Sequence, residues 1–227
     1  MNASGSPTPC FYYVPAKYAI SCIELLRIKV ATIDKLNDPF DLRPVFIPKH
    51  SDASTFAKEL TRDWRKMFAQ KYGMVCMSSK LNDPVLWAHY ADRHAGMVIE
   101  FIDFSEEEFV RVLYKDAPVP IPVEGIDSSA FEALFEKVIT TKFTSWGYEE
   151  EVRCFVDLDE CVLDGEFYFR KISANVIKHI FLGVRCSIDS GFLYRLLRQN
   201  SMPDVRVSRG RESSDKFTIE FDECAPD

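Results

Sequence analysis

Apolar positions along this chain follow two rhythms. Residues 54–71 repeat Phe56, Leu60, Trp64 and Phe68 at every fourth position, which predicts an amphipathic helix, with Gly73 placed just beyond to stop it. Residues 16–26 carry Ala19, Ile20, Ile23 and Leu26 at helical spacing, and 190–199 read as a third helix. Asp83-Pro84 pairs a capping side chain with proline at a first helical position, predicting a helix through Trp87 and Tyr90 to near Gly96. Ser129 and Glu132 form a capping box for a helix to about Phe143. Short β-prone runs predict strands at Phe11–Val14, Ile28–Ile33, Met74–Ser78, Met97–Phe101, Val110–Tyr114, Glu149–Val156, Phe167–Arg170 and Ile180–Leu182. Asp164-Gly165 is a turn, 117–125 is a proline-rich connection, and Val205–Ser208 with Phe217–Phe221 form a terminal hairpin.

Many of these strands follow one another without a helix between them. That favours α+β over a doubly wound parallel sheet: one domain with a mixed or antiparallel sheet and packed helices. A length of 227 residues suits one domain over 11–222, with a leader at 1–10 and a tail at 223–227. No G-x-G-x-x-G or G-x-x-x-x-G-K-[ST] occurs, so Rossmann and P-loop readings lack support. No apolar run reaches the roughly 18 residues of a membrane helix, and neither a signal peptide nor a membrane partner is expected. The seven cysteines are odd in number and none is spaced C-x-x-C, which points to reduced, structural thiols in a cytoplasm.

The net charge of −7 is unevenly spread. Residues 100–166 hold 5 Lys and Arg against 18 Asp and Glu, whereas residues 167–211 hold 9 against 2. The acidic middle opposes non-specific duplex binding; the basic stretch either faces a phosphate or is a solvated surface.

Three polar-aromatic blocks carry the candidate chemistry. In the first, Asn37-Asp38-Pro39-Phe40-Asp41 followed by Arg43, proline stiffens a loop that presents two carboxylates and an amide. It reads as a ligand- or metal-facing loop, or as a capped turn with Phe40 plugged into the core. In the second, Leu86 to Gly96, helical spacing brings Trp87, Tyr90 and His94 together while His89 projects elsewhere. Tyr90 and His94 would hydrogen-bond or stack on a planar ligand, or belong to an aromatic core helix; histidines five apart do not share a face as two metal ligands would. In the third, Lys142 to Arg153, a strand at 149–156 would put Glu149, Glu151 and Arg153 on one face and Val152, Cys154 and Val156 on the other, core side. Paired carboxylates can split their pKa values and divide acid-base work; the plainer reading is a charged edge strand.

Taken together, the blocks resemble a widespread bacterial domain of unknown function with NDPFD, LW-x-HYA-x-x-H-x-G and K-x-x-x-W-x-YE-x-E-x-R elements, here Leu36–Asp41, Leu86–Gly96 and Lys142–Arg153. Glu149-x-Glu151 is also similar to the E-x-E element of mono-ADP-ribosyltransferases. That likeness implies NAD as substrate, Glu151 gripping the nicotinamide-ribose hydroxyl, and Glu149 orienting a protein or nucleic-acid acceptor. Tyr90, His94 and Trp146 would then line the cofactor pocket, and Ser78 would stand for the serine element. Phe11–Val14 lacks the basic residue of those enzymes, for which Arg27 would substitute. Asn37, Asp38, Asp41, His89 and Arg153 would face the substrate. Two alternatives stand beside this one: a metal-dependent hydrolase or nuclease using Asp38, Asp41, Glu149 and Glu151 with His89 or His94, and a non-enzymatic ligand-sensing or interaction module.

Overall fold

A computed structural model describes residues 9–49, 54–102, 109–125 and 127–226. In chain order the elements are β1 (Cys10–Val14), α1 (Ala16–Leu25), β2 (Arg27–Thr32), β3 (Val45–Ile47), α2 (Ser54–Lys71), β4 (Tyr72–Ser78), α3 (Pro84–Tyr90) and β5 (Met97–Phe101). There follow β6 (Val110–Arg111), β7 (Leu113–Lys115), β8 (Pro120–Pro122), α4 (Ser128–Ile139), β9 (Thr141–Phe143) and β10 (Glu151–Asp157). The chain ends with β11 (Val162–Asp164), β12 (Phe167–Lys171), β13 (Ile177–Leu182), α5 (Ser190–Gln199), β14 (Arg206–Glu212) and β15 (Ile219–Glu223). The class is α+β, with helix and strand in nearly equal shares. The chain forms two compact units: one of residues 1–29, 76–107 and 169–227, the other of 30–75 and 108–168.

In the first unit, β1 pairs antiparallel with β5 from Cys10↔Phe101 to Val14↔Met97. β13 lies antiparallel to β5, β14 parallel to β13, and β15 antiparallel to β14, so the sheet is mixed. Alternation places Phe11, Val98 and Phe181 on one face, where they bury Trp87 and Ala91 of the α3 segment together with Ile219. The Trp87 indole donates to Leu81 O at 2.7 Å, which satisfies its one polar atom within that core. Helices α1 and α5 pack on each other and on β5 and β14.

In the second unit, β2 pairs antiparallel with β4 at Ala31↔Met74 and Thr32↔Gly73. Trp64 and Phe68 of α2 stack at 5.2 Å, and Phe135, Tyr72 and Phe155 close around them. The predicted strand Val110–Tyr114 is broken at Val112. There the segment changes partner: β6 pairs antiparallel with β10, and β7 pairs parallel with β9 at Tyr114↔Lys142. That switch brings β9 and β10 together and so positions the charged residues of the third block.

Several boundaries differ from expectation for identifiable reasons. Gly73 lies inside β4 and does not cap α2; a Cβ there would come within 2.4 Å of Val30 Cγ1 and 2.9 Å of Leu158 Cδ2. Helix α4 is capped by Asp127, whose carboxylate accepts from Ala130 N at 2.9 Å, not by Ser129, and it ends at Ile139. The proline-rich connection contains β8, which pairs parallel with β3; at its ends Val45 N donates to Val119 O at 3.3 Å and Val123 N to Ile47 O at 3.1 Å, neither needing a proline N–H. Of the expected leader, Cys10 opens β1 and residues 1–8 lie outside those described; at the other end Glu223 closes β15. No disulfide joins any of the seven cysteines, all of which lie among the described residues, and no described helix is long and apolar enough to cross a membrane.

Truncating Phe68→Ala removes the ring at the centre of the second unit's aromatic cluster. We expect a loss of about 3–5 kcal/mol, read as a lower urea midpoint with circular dichroism.

Candidate functional site

The first and third blocks meet in the second unit as a buried ion cluster. Pro39 and the Asp38 side chain set a tight turn in which Asp38 Oδ1 accepts from Phe40 N at 2.8 Å. The turn directs Phe40 outward, 67% exposed, where Arg43 lies over its ring; Phe40 is therefore not a core plug. Asp41 points inward, with Oδ1 accepting from Leu42 N at 2.9 Å. Its Oδ2 accepts from Arg153 Nη2 at 2.6 Å, across 112 residues of sequence.

The third block is not one continuous strand. Thr144–Glu149 form a 3₁₀ segment, Glu150 takes a left-handed φ of 42°, and β10 starts only at Glu151. Glu149 and Glu151 thus reach the same place from two elements, not by alternation along one. Lys142 of β9 joins them, with Nζ 2.5 Å from Glu149 Oε2, 2.9 Å from Glu151 Oε2 and 3.7 Å from Asp41 Oδ2. Arg153 donates through Nε to Glu151 Oε1 at 2.6 Å and through Nη2 to Glu151 Oε2 at 3.0 Å. Its Nη1 reaches the last carbonyl of α4, Ile139 O, at 3.2 Å. The face expected to be a charged edge is enclosed: Glu149, Glu151 and Arg153 are 4%, 6% and 0% exposed.

Three carboxylates face two fixed cations, so each charge finds an opposite one within the low-dielectric interior. Burial would push the Glu151 carboxyl up, but Arg153 and Lys142 outweigh it and hold it below its ordinary range. Burial would likewise lower Lys142, and the charges of Glu151, Glu149 and Asp41 raise it instead. Around the cluster, Glu151 N donates to Tyr114 Oη at 2.8 Å, Arg65 donates to Asp41 O at 2.8 Å, and the Trp146 ring lies 4.9 Å from Lys142 Nζ. Asn37 is exposed on the preceding loop. Among the described residues no group of three or more His, Cys, Asp or Glu is arranged to hold a metal ion; around these carboxylates, lysine and arginine supply the positive charge.

The second block belongs to the first unit, and its helix is shorter than predicted. α3 ends at Tyr90, and Asp92, Arg93 and His94 then take φ of 46°, 54° and 71°, a left-handed turn without glycine. Each such residue costs about 1–2 kcal/mol. The turn is held by His94 N to Trp87 O at 3.2 Å, Gly96 N to Ala91 O at 2.7 Å and Arg185 N to His94 O at 3.0 Å. Gly183 permits this close approach: a Cβ there would stand 2.1 Å from His94 O. Trp87 therefore serves the core, His89 is exposed with its ring 6.0 Å from that of Tyr90, and His94 faces a different direction from the one helical spacing predicts. Ser78 is buried on β4, accepting from Lys80 N at 2.9 Å, and Arg27 lies over the Phe169 ring at 3.9 Å.

His94 lines a cleft of about 500 Å³ whose opposite wall is the β14–β15 loop. Burial and the neighbouring Arg185 push its pKa below the ordinary imidazole value, against an opposing pull from Glu212. Among the described residues neither the His94 imidazole nor the Arg185 guanidinium has a hydrogen-bond or ion-pair partner. Sequence reasoning missed Arg185 and the loop residues because they sit in irregular segments that carry no periodic signal. It also passed over His179, buried and 2.8 Å from Ser208 Oγ, stacked on Phe181, with its pKa pushed down to about 4 by burial and then by Arg206.

No family model, curated protein or solved structure matches the chain.

Arg153→Ala leaves three carboxylates facing one cation in a dry interior; a stability loss of about 3–5 kcal/mol is expected in urea denaturation. The cluster also fixes the pH response. Glu151 is lowered on folding, so its contribution is present above its unfolded value near 4.5 and lost as pH falls through its folded value. Lys142 is raised, so its contribution is present below 10.5 and lost as pH climbs through its folded value. Urea midpoints measured against pH should show a shallower acid limb for Glu151→Gln than for the wild type. Gly183→Ala should cost roughly 1–3 kcal/mol and shift the His94 amide resonance, because the added methyl meets backbone, not a flexible side chain.

Proposed function

We propose that this protein recognises a small polar ligand in the cleft beside the His94 turn, as a sensing or interaction module, and that Glu149 and Glu151 maintain the fold. One observation carries the reading: an unpaired imidazole sits on a strained, glycine-free turn at the wall of a cleft whose volume suits a small molecule. Strained backbone persists only where the surroundings over-determine it, and such residues cluster at ligand sites. An NAD-using transferase acting through the E-x-E pair needs a Glu151 carboxylate free to hold a ribose hydroxyl. Here both oxygens accept from Arg153 and Lys142, which favours a structural assignment. A metal-dependent hydrolase needs Asp41, Glu149 and Glu151 to turn towards a cation other than Lys142 and Arg153, and the same contacts weigh against it.

Incubation of the full chain with NAD separates these readings. Recognition predicts no nicotinamide release, and a thermal shift with at least one of a set of nucleotides, amino acids and sugars that His94→Ala removes. Nicotinamide release by the wild type, lost in Glu151→Gln at an unchanged thermal midpoint, would overturn it, as would a wild type that responds to none of these compounds.

A further inference from the structure

The lining of the His94 cleft is specific enough to name a class of ligand. Phe217, at the tip of the β14–β15 loop, is 102% exposed and lines the cleft. The loop that carries it is anchored: Ile219 N and Thr218 Oγ1 both donate to Asn82 O at 3.2 Å, and Ser213 N donates to Thr218 O at 3.2 Å. A fully exposed phenyl ring on a tethered loop is an aromatic platform for a planar ligand. Arg185 and Lys216 contribute two cations to the same lining, and His94 a neutral imidazole. Two carboxylates, Glu212 and Asp215, complete the lining; one accepted bond from Ser213 Oγ at 3.0 Å leaves Asp215 further acceptor capacity, so both can receive donors from a ligand.

These groups are of four kinds: a stacking surface, two cations, a hydrogen-bonding imidazole and two carboxylate acceptors. A simple anion would use the cations and offer no donor to Glu212 and Asp215. A neutral planar molecule would use Phe217 and leave Arg185 and Lys216 unanswered. A nucleoside phosphate uses all four, with the base on Phe217, the phosphate on Arg185 and Lys216, and sugar hydroxyls or a base amino group on Glu212 and His94. Building on recognition at this cleft, we infer that its ligand is a nucleoside phosphate, either free or as one nucleotide of a single strand.

Calorimetric titration of the full chain with AMP, adenosine, inorganic phosphate and single-stranded oligoadenylate tests this, with the His94 ring resonances followed by NMR. AMP should bind at least about tenfold more tightly than adenosine or phosphate. Phe217→Ala should weaken AMP about tenfold, in line with the worth of one base stacked on an aromatic ring, and leave phosphate unchanged; Arg185→Ala should weaken both. Both side chains are exposed, so neither variant threatens folding. Oligoadenylate binding per site more tightly than AMP would identify the source as a strand, and weaker binding a free nucleotide. AMP binding that is indifferent to Phe217, or no tighter than phosphate, overturns the nucleoside assignment. If glutamate or glucose moves the His94 resonances while AMP does not, the nucleotide class falls and recognition at the cleft stands; if no compound moves them, both fall.

Discussion

A charge leaves water only when something in the interior replaces its hydration, and the second unit is organised around that requirement. Arg153 cannot lose its proton, and it is fully buried. Its fork is answered by Glu151 on two sides and by Asp41 on a third, and Lys142 supplies the second cation to the three carboxylates. Each partner comes from a different element. Asp41 needs the turn that Pro39 stiffens, Lys142 needs β9 to pair with β7, and Glu151 needs the reversal at Glu150. Any of these built differently would leave a buried charge unpaired, so the cluster selects the arrangement of four chain segments more sharply than apolar burial, which tolerates sliding.

Much of this was legible in the sequence, and the failures are physical. The blocks were visible as blocks because dense polar-aromatic runs stand out against a 47% hydrophobic background. Helix α2 emerged with the limits the structure shows because Trp64 and Phe68 supply a strong four-residue period. The E-x-E geometry did not emerge, because a left-handed Glu150 has no local signature: glutamate is not a residue that usually occupies positive φ. The Asp41–Arg153 pair spans 112 residues, beyond the reach of any periodicity. The end of α3 was misplaced for the same reason as the start of β10. Asp92, Arg93 and His94 look like helix, and only tertiary contacts hold them in the mirror conformation.

The same composition therefore serves two purposes. Acidic residues of the third block, which suggested catalysis by resemblance to transferases, are consumed by internal pairing. The second block, which looked half committed to a core, divides at Ala91. Its first half, with Leu86 and Trp87, is core; its second half leaves the helix and carries His94 to a cleft. The division is visible in hydrogen bonding, since the Trp87 indole is satisfied by Leu81 O while the His94 imidazole has no partner among the described residues.

That division bears on how a ligand would be held. His94 O accepts from Arg185 N, and Gly96 O accepts from Gly183 N, so the left-handed turn and the segment after β13 are clamped backbone to backbone. Gly183 makes the clamp possible, and a larger residue would pry it open. The two side chains that face the cleft from this side are thus set by the main chain, and burial followed by the Arg185 charge lowers the His94 pKa. A ligand bound there would meet donors already placed, with little further loss of backbone freedom in the protein. The strain of three left-handed residues is borne by the folded unit before any ligand is present, and that is the condition under which strained backbone favours binding and not merely instability.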